Sequence, residues 1–132
     1  MNFDVLIQQV AASHGWPHTG SPYGGYRIEV PTEYGRTQVV EVSQGADPDG
    51  RPLAFIWSRV TTIDNVGDPW YLLGLNSQFS YGALAVRDRD VILMETQLMQ
   101  SADYDELQRA VFYVAKNADA LEKQVHGHYD QN

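Results

Sequence analysis

Apolar positions along the chain follow two rhythms, and the switches between them mark out the elements. Phe3, Leu6, Ile7 and Val10 fall at the i, i+3, i+4, i+7 spacing of a helix with one buried face. Asn2 stands where a capping side chain belongs, and Asp4 sits favourably in the first turn. HGWPHTGSPYGG, residues 14–25, is dense in glycine and proline and reads as a loop. The period then changes to two. In YRIEV, Tyr26, Ile28 and Val30 alternate with Arg27 and Glu29; in RTQVVEVS, Val40 and Val42 alternate with Glu41 and Ser43. The short PTEYG between them suits a hairpin. GADPDGR is a turn by its chemistry. LAFIWSRVTTI, β-branched and aromatic throughout, is the strongest strand signal in the chain. The three strands read as an antiparallel meander.

Helical spacing returns at Asp68, an N-cap candidate followed by Pro69 at the first helical position. The predicted helix, residues 69–76, carries Trp70, Leu72, Leu73 and Leu75 and has hardly any polar face. After the polar break Asn76-Ser77-Gln78, SYGALAV and DVILMETQLM read as strands joined by the tight charged turn RDRD. A last helix begins near Ser101 or Asp103. Its residues Leu107, Val111, Val114, Ala118, Leu121 and Val125 recur at spacings of three and four and should face the sheet, with Asp105–Arg109 and Asp119–Lys123 as i, i+4 pairs on the wet side. HGHYDQN, residues 126–132, reads as a frayed tail. The predicted order is α-β-β-β-α-β-β-α. It describes a single α+β domain over 1–132, a five-stranded antiparallel sheet with the long C-terminal helix packed on one face.

Composition narrows the function classes. The chain has 132 residues, 43% apolar and 20% charged, which is ordinary for one globular core. It has no cysteine, which removes disulfide and thiolate chemistry and fits a reducing cytoplasm. MNFDVLIQQV lacks the basic start of a secretory signal, and no apolar run reaches spanning length, so no membrane partner is expected. A net charge of −8 opposes phosphate backbones, so nucleic acid is not expected either.

Candidate chemistry is sparse. His14 and His18 are four apart, but Gly15 and Pro17 break the helix that would align them. His126 and His128 flank a glycine, so no metal set is expected. DPDG lacks the further acids of a calcium loop. Ser58, Ser77 and Ser80 lie in no nucleophile elbow, and SPYGGY lacks the lysine and following helix of a phosphate cradle. No catalytic, cofactor-binding or metal residue is assigned, and the expectation is a non-enzymatic protein.

The aromatics offer more. A short helix that is apolar nearly all round must be covered on several sides, and one sheet face covers one. The stretch LLGLNSQFSYGALAVRD, residues 72–88, together with the helix start before it, therefore reads as an interface, with Gly82, Ala83 and Ala85 permitting close approach. Trp70, Leu72, Leu73, Phe79, Tyr81 and Ala83 are its candidate residues. The competing reading wedges the helix between sheet and N-terminal segment.

Residues 71–125 also resemble a known family. A Leu-Leu-x-Leu-Asn helix end leads into the small-residue strand ALAV. A short turn, the strand VILMETQL, an acidic helix start and a long helix ending NADALEKQV follow. This succession resembles the type III secretion chaperone-like fold, shared by the secretion chaperones and the YbjN-like proteins. The resemblance implies a small, acidic, cytoplasmic, bacterial protein without catalysis or cofactor. Such a protein is homodimeric and binds a partner polypeptide through hydrophobic patches, as chaperone or adaptor. The partner's identity is open. Two other classes remain: a small-ligand domain with a cleft between sheet and C-terminal helix, and an enzyme with a site of no recognised pattern.

Overall fold

The computed structural model describes residues 2–130, with side chains through His126. Helix α1, Phe3–Ser13, starts where Asn2 accepts a hydrogen bond from Val5 N at 2.8 Å, and it buries Phe3, Leu6, Ile7, Val10 and Ala11. Five strands follow the predicted order: Tyr26–Pro31, Thr37–Ala46 and Pro52–Thr62, then Ala83–Arg87 and Asp90–Leu98. The sheet nevertheless has six strands rather than the five expected. The extra one, His18–Gly20, lies inside the breaker-rich loop and pairs antiparallel with Tyr26–Ile28. Its three exposed residues, HTG, carry no hydrophobic alternation. It is a strand because Gly24 and Gly25, both at positive φ, fold the chain back onto the Tyr26 strand. Numbered along the chain as β1 to β6, the strands lie in the order β1-β2-β3-β4-β6-β5, all antiparallel.

Two short 3₁₀ turns, Ile63–Asn65 and Asn76–Gln78, also exceed the expected helix count; they flank helix α2, Pro69–Leu75. Asp68 caps α2 by accepting from Trp70 N at 3.0 Å. Helix α3, Tyr104–Asp130, starts at Asp103, whose Oδ1 accepts from Glu106 N at 2.8 Å. The stretch read as a frayed tail is helical backbone through Asp130; residues 131 and 132 lie outside the described residues.

All three helices lie on one face of the sheet. The first half of α3 (Leu107, Val111, Val114) and α1 cover Ile28, Val30, Val40, Val42 and Ile56. The second half (Ala118, Leu121, Val125) and α2 cover Val60, Val91 and Leu93. A β-bulge at Val60 in the β4–β6 ladder adjusts the register between the two clusters. Asp119 departs from its expected place on the wet side of α3. It is buried, and Arg36 of the β2–β3 turn donates to its Oδ1 from Nε at 3.0 Å and Nη2 at 2.7 Å, while Lys123 stands 4.0 Å from Oδ2.

Candidate partner-binding surfaces

The expected interface residues divide into two groups. Leu72 and Leu75 point inward and are buried under α3 and against Leu93. Trp70 and Leu73, on the other side of α2, are 77% and 56% exposed. A seven-residue helix has too few backbone bonds to stand alone, so the inward leucines hold it while the outward pair faces water. Phe79 is half-buried beside the same cluster. Tyr81 stacks on Tyr113 of α3 with centroids 5.2 Å apart, and its carbonyl accepts from Asn117 at 3.4 Å. Ala83 is exposed at the start of β5, a strand at the sheet edge. Gly82, expected to allow close approach, does so within the chain, since a Cβ there would press on Leu93 at 2.9 Å while the backbone holds a φ of +92°.

Sequence reasoning did not single out the second surface. With every helix on one side, the opposite face of the sheet has no helical cover among the described residues. The register places Glu41, Trp57, Met94 and Ala83 side by side across β3, β4, β6 and β5 on that face. Phe55, Ile92 and Val39 lie on the same face in neighbouring rows. Trp57 and Ile92 are nonetheless buried. Tyr23, from the β1–β2 turn, meets the Trp57 ring edge-on with centroids 5.2 Å apart. The Arg87 guanidinium lies 5.0 Å from the Trp57 centroid and 5.8 Å from that of Tyr23. Glu41 is buried beside them, accepting from Arg27 Nε at 2.6 Å and Ser21 Oγ at 2.9 Å. That hydrogen bond, then the charge of Glu41, push the Arg27 guanidinium above its usual range, against a small opposing effect of desolvation. The signal was present in LAFIWSRV, where Leu53, Phe55 and Trp57 alternate with Ala54, Ile56 and Val60, so that large apolar side chains point to both faces of the strand.

A groove of about 500 Å³ leads from Tyr23, Trp57 and Arg59 on this face, past Thr61, to Glu122 and His126 near the end of α3. The space between mid-α3 and the sheet is filled core. The residues weighed for catalysis stay apart. Ser58 is buried, donating to Val39 O and accepting from Gln38 at 2.9 Å. Ser77 donates to Gly74 O, and His14 stacks on Trp16. His128 lies outside the described side chains. Among the described residues no three acids or histidines cluster as a metal site, and no helix is long and apolar enough to cross a membrane.

No family model matches the chain, and no curated protein matches it in sequence. Its fold is that of the type III secretion chaperones. One solved structure it resembles is that of the Yersinia pestis type III secretion chaperone SycH in complex with a stable fragment of YscM2. The two are 13% identical with a TM-score of 0.58, and the match covers 91% of this chain and 99% of that one.

Proposed function

We propose that this protein is a non-enzymatic partner-binding module of the chaperone or adaptor kind, acting as a homodimer in the bacterial cytoplasm. One observation carries the reading: a fold shared over nine-tenths of the chain with a chaperone that was solved holding a protein fragment. Trp70 and Leu73 support the dimer. Both are large, apolar and outward-facing on α2, beside the exposed Ala83 at the sheet edge. A twofold contact would bury that patch from both subunits, so each side chain counts twice toward the roughly 1,000 Å² that a stable interface needs. Leu72 and Phe79 hold α2 in place from behind.

Sedimentation velocity on wild type and Leu73→Glu tests the reading. Wild type should sediment as a dimer at micromolar concentration. Leu73→Glu should be a folded monomer, because the position is exposed within one subunit. A wild-type monomer overturns the dimer, and an unfolded variant would place Leu73 inside the subunit instead.

A further inference from the structure

Two acceptors on strand β6 lack donors. Glu95 and Gln97 stand two positions apart, roughly 7 Å, and the register sets them opposite Ile56 and Ala54, on the face that carries the helices. The Gln97 amide donates from Nε2 to Glu106 O at 3.3 Å. A carbonyl can only accept, so this bond fixes which amide atom is the nitrogen. The other amide atom, Oε1, is buried and has no hydrogen-bond partner among the described residues. Buried polar atoms are rarely left so. Glu95 is half-buried, and its carboxylate is in no ion pair or hydrogen bond among the described residues. Burial alone pushes its carboxyl above the usual range, with no cation to oppose it.

A cavity of about 280 Å³ adjoins Gln97, lined also by Tyr81, Leu98, Ser101, Glu106 and Arg109. Strand β5 begins at Ala83, opposite Met94, so Gly82 and Tyr81 run alongside Glu95 and on toward Gln97. Tyr81, braced by its stack on Tyr113, makes an aromatic wall. The charge around the cavity is negative. Glu95 and, at the start of α3, Asp103, Asp105 and Glu106 outnumber Arg109, which Asp105 already holds at 3.1 Å. That surplus offsets the positive end of the α3 dipole. An anion would meet it unfavourably, and among the described residues no three ligands gather for a metal ion. A water could satisfy Gln97 Oε1, but it would leave the Glu95 charge without a counterion.

We infer that this cavity binds a primary alkylammonium group, whose N–H donors go to Gln97 Oε1 and the Glu95 carboxylate while its carbon stem lies along the Tyr81 ring. An ammonium carries its donors on one compact centre, and a tyrosine face attracts a cation. A guanidinium suits the cavity less well, because it spreads five donors over a plane and two acceptors leave most of them unmet. The net charge of −8 draws such cations toward the molecule. A free alkylamine and the lysine side chain of a polypeptide both present this group. The site uses neither the outward side of α2 nor the helix-free face of the sheet, so it stands apart from the dimer proposed above.

The test is isothermal titration calorimetry of butylamine, butanol and the peptide Gly-Lys-Gly into wild type, Glu95→Gln and Glu122→Gln, the last removing an acid near the far end of α3. Wild type should bind butylamine saturably at one site and butanol not at all. Glu95→Gln, which relieves a buried charge and should fold at least as well, should weaken butylamine binding about tenfold or more. Glu122→Gln should bind it as wild type does. Saturating butylamine should raise the melting temperature of wild type and leave that of Glu95→Gln unmoved. Tighter binding of Gly-Lys-Gly than of butylamine would assign the site to a lysine of a polypeptide, and the reverse order to a free amine; both uphold the ammonium site. Equal losses in the two variants would reveal diffuse attraction to an acidic surface and overturn the inference. Binding indifferent to Glu95→Gln, equal binding of butanol, or no saturable binding of either amine would overturn it as well. None of these outcomes touches the partner-binding reading.

Discussion

The Arg36–Asp119 contact joins the β2–β3 turn to the last helix across 83 residues of sequence, and its worth can be predicted from its surroundings. Asp119 is 3% exposed, while the Arg36 side chain is 43% exposed. Removing one side of a buried pair costs about 3–5 kcal/mol when the other is left charged without water. Here the two sides differ. Arg36→Ala strands a buried carboxylate whose one other cation, Lys123, is 4.0 Å away, so it should cost about 2–3 kcal/mol, below the full range because water can enter where the arginine stood. Asp119→Ala leaves a half-exposed guanidinium that rehydrates, and should cost only about 1–2 kcal/mol, the loss of the charged hydrogen bonds. Arg36→Met with Asp119→Leu should fall well short of the summed single losses, with a coupling of about 1 kcal/mol or more. Urea unfolding at pH 7, followed by circular dichroism, measures all four proteins. Equal, additive losses below about 0.5 kcal/mol would show that the pair is solvent-screened like any surface bridge, and the reasoning would fail.

Leu107→Ala and Leu121→Ala, both at fully buried positions, should each cost about 2–5 kcal/mol; unchanged urea midpoints would remove α3 from the core. Gly25→Ala should be more damaging than Gly24→Ala by thermal melting. Both have positive φ, but a Cβ at Gly25 overlaps the Val42 carbonyl oxygen and sits 2.8 Å from Ser43 Cα, whereas at Gly24 it meets open space. Equal melting temperatures would contradict that. Burial pushes the Glu95 carboxyl above its usual range, so its charged form costs stability in the fold. The stability it contributes is complete below the ordinary carboxylate pKa and is lost as pH rises through the folded value. Glu95→Gln should therefore be the more stable protein at pH 7, with the difference closing on acidification. A gap that widens toward acid would reverse the sign.

Much of the architecture was legible because local rules and packing agree. α1 and α3 carry one apolar stripe each, and the caps at Asn2, Asp68 and Asp103 are local chemistry. The strand β1 was not legible, because three polar or small residues gain their pairing only from the neighbouring ladder. Asp119 was misplaced for a related reason. Its i+4 neighbour Lys123 explains it locally, while its closer partner Arg36 comes from a distant turn. On the candidate surfaces, the all-round apolarity of α2 was visible in PWYLLGL, but which leucines turn inward depends on Leu93 and Leu121. Arg87 sits in RDRD, a stretch that reads as a solvated turn. Its contact with Trp57 and Tyr23 exists only once β5 and β4 flank β6.

The helical layer has a consequence during synthesis. It is begun by α1 and completed by α3, so Phe3, Leu6, Ile7 and Val10 leave the ribosome roughly 5–20 s before Val111 and Val114 arrive to cover them, at ordinary elongation rates. Throughout that interval the nascent chain shows a greasy helix and an unfinished sheet with an open edge, the state most prone to stick to its neighbours. A message truncated before codon 107 would yield a product with no lid over its first core cluster.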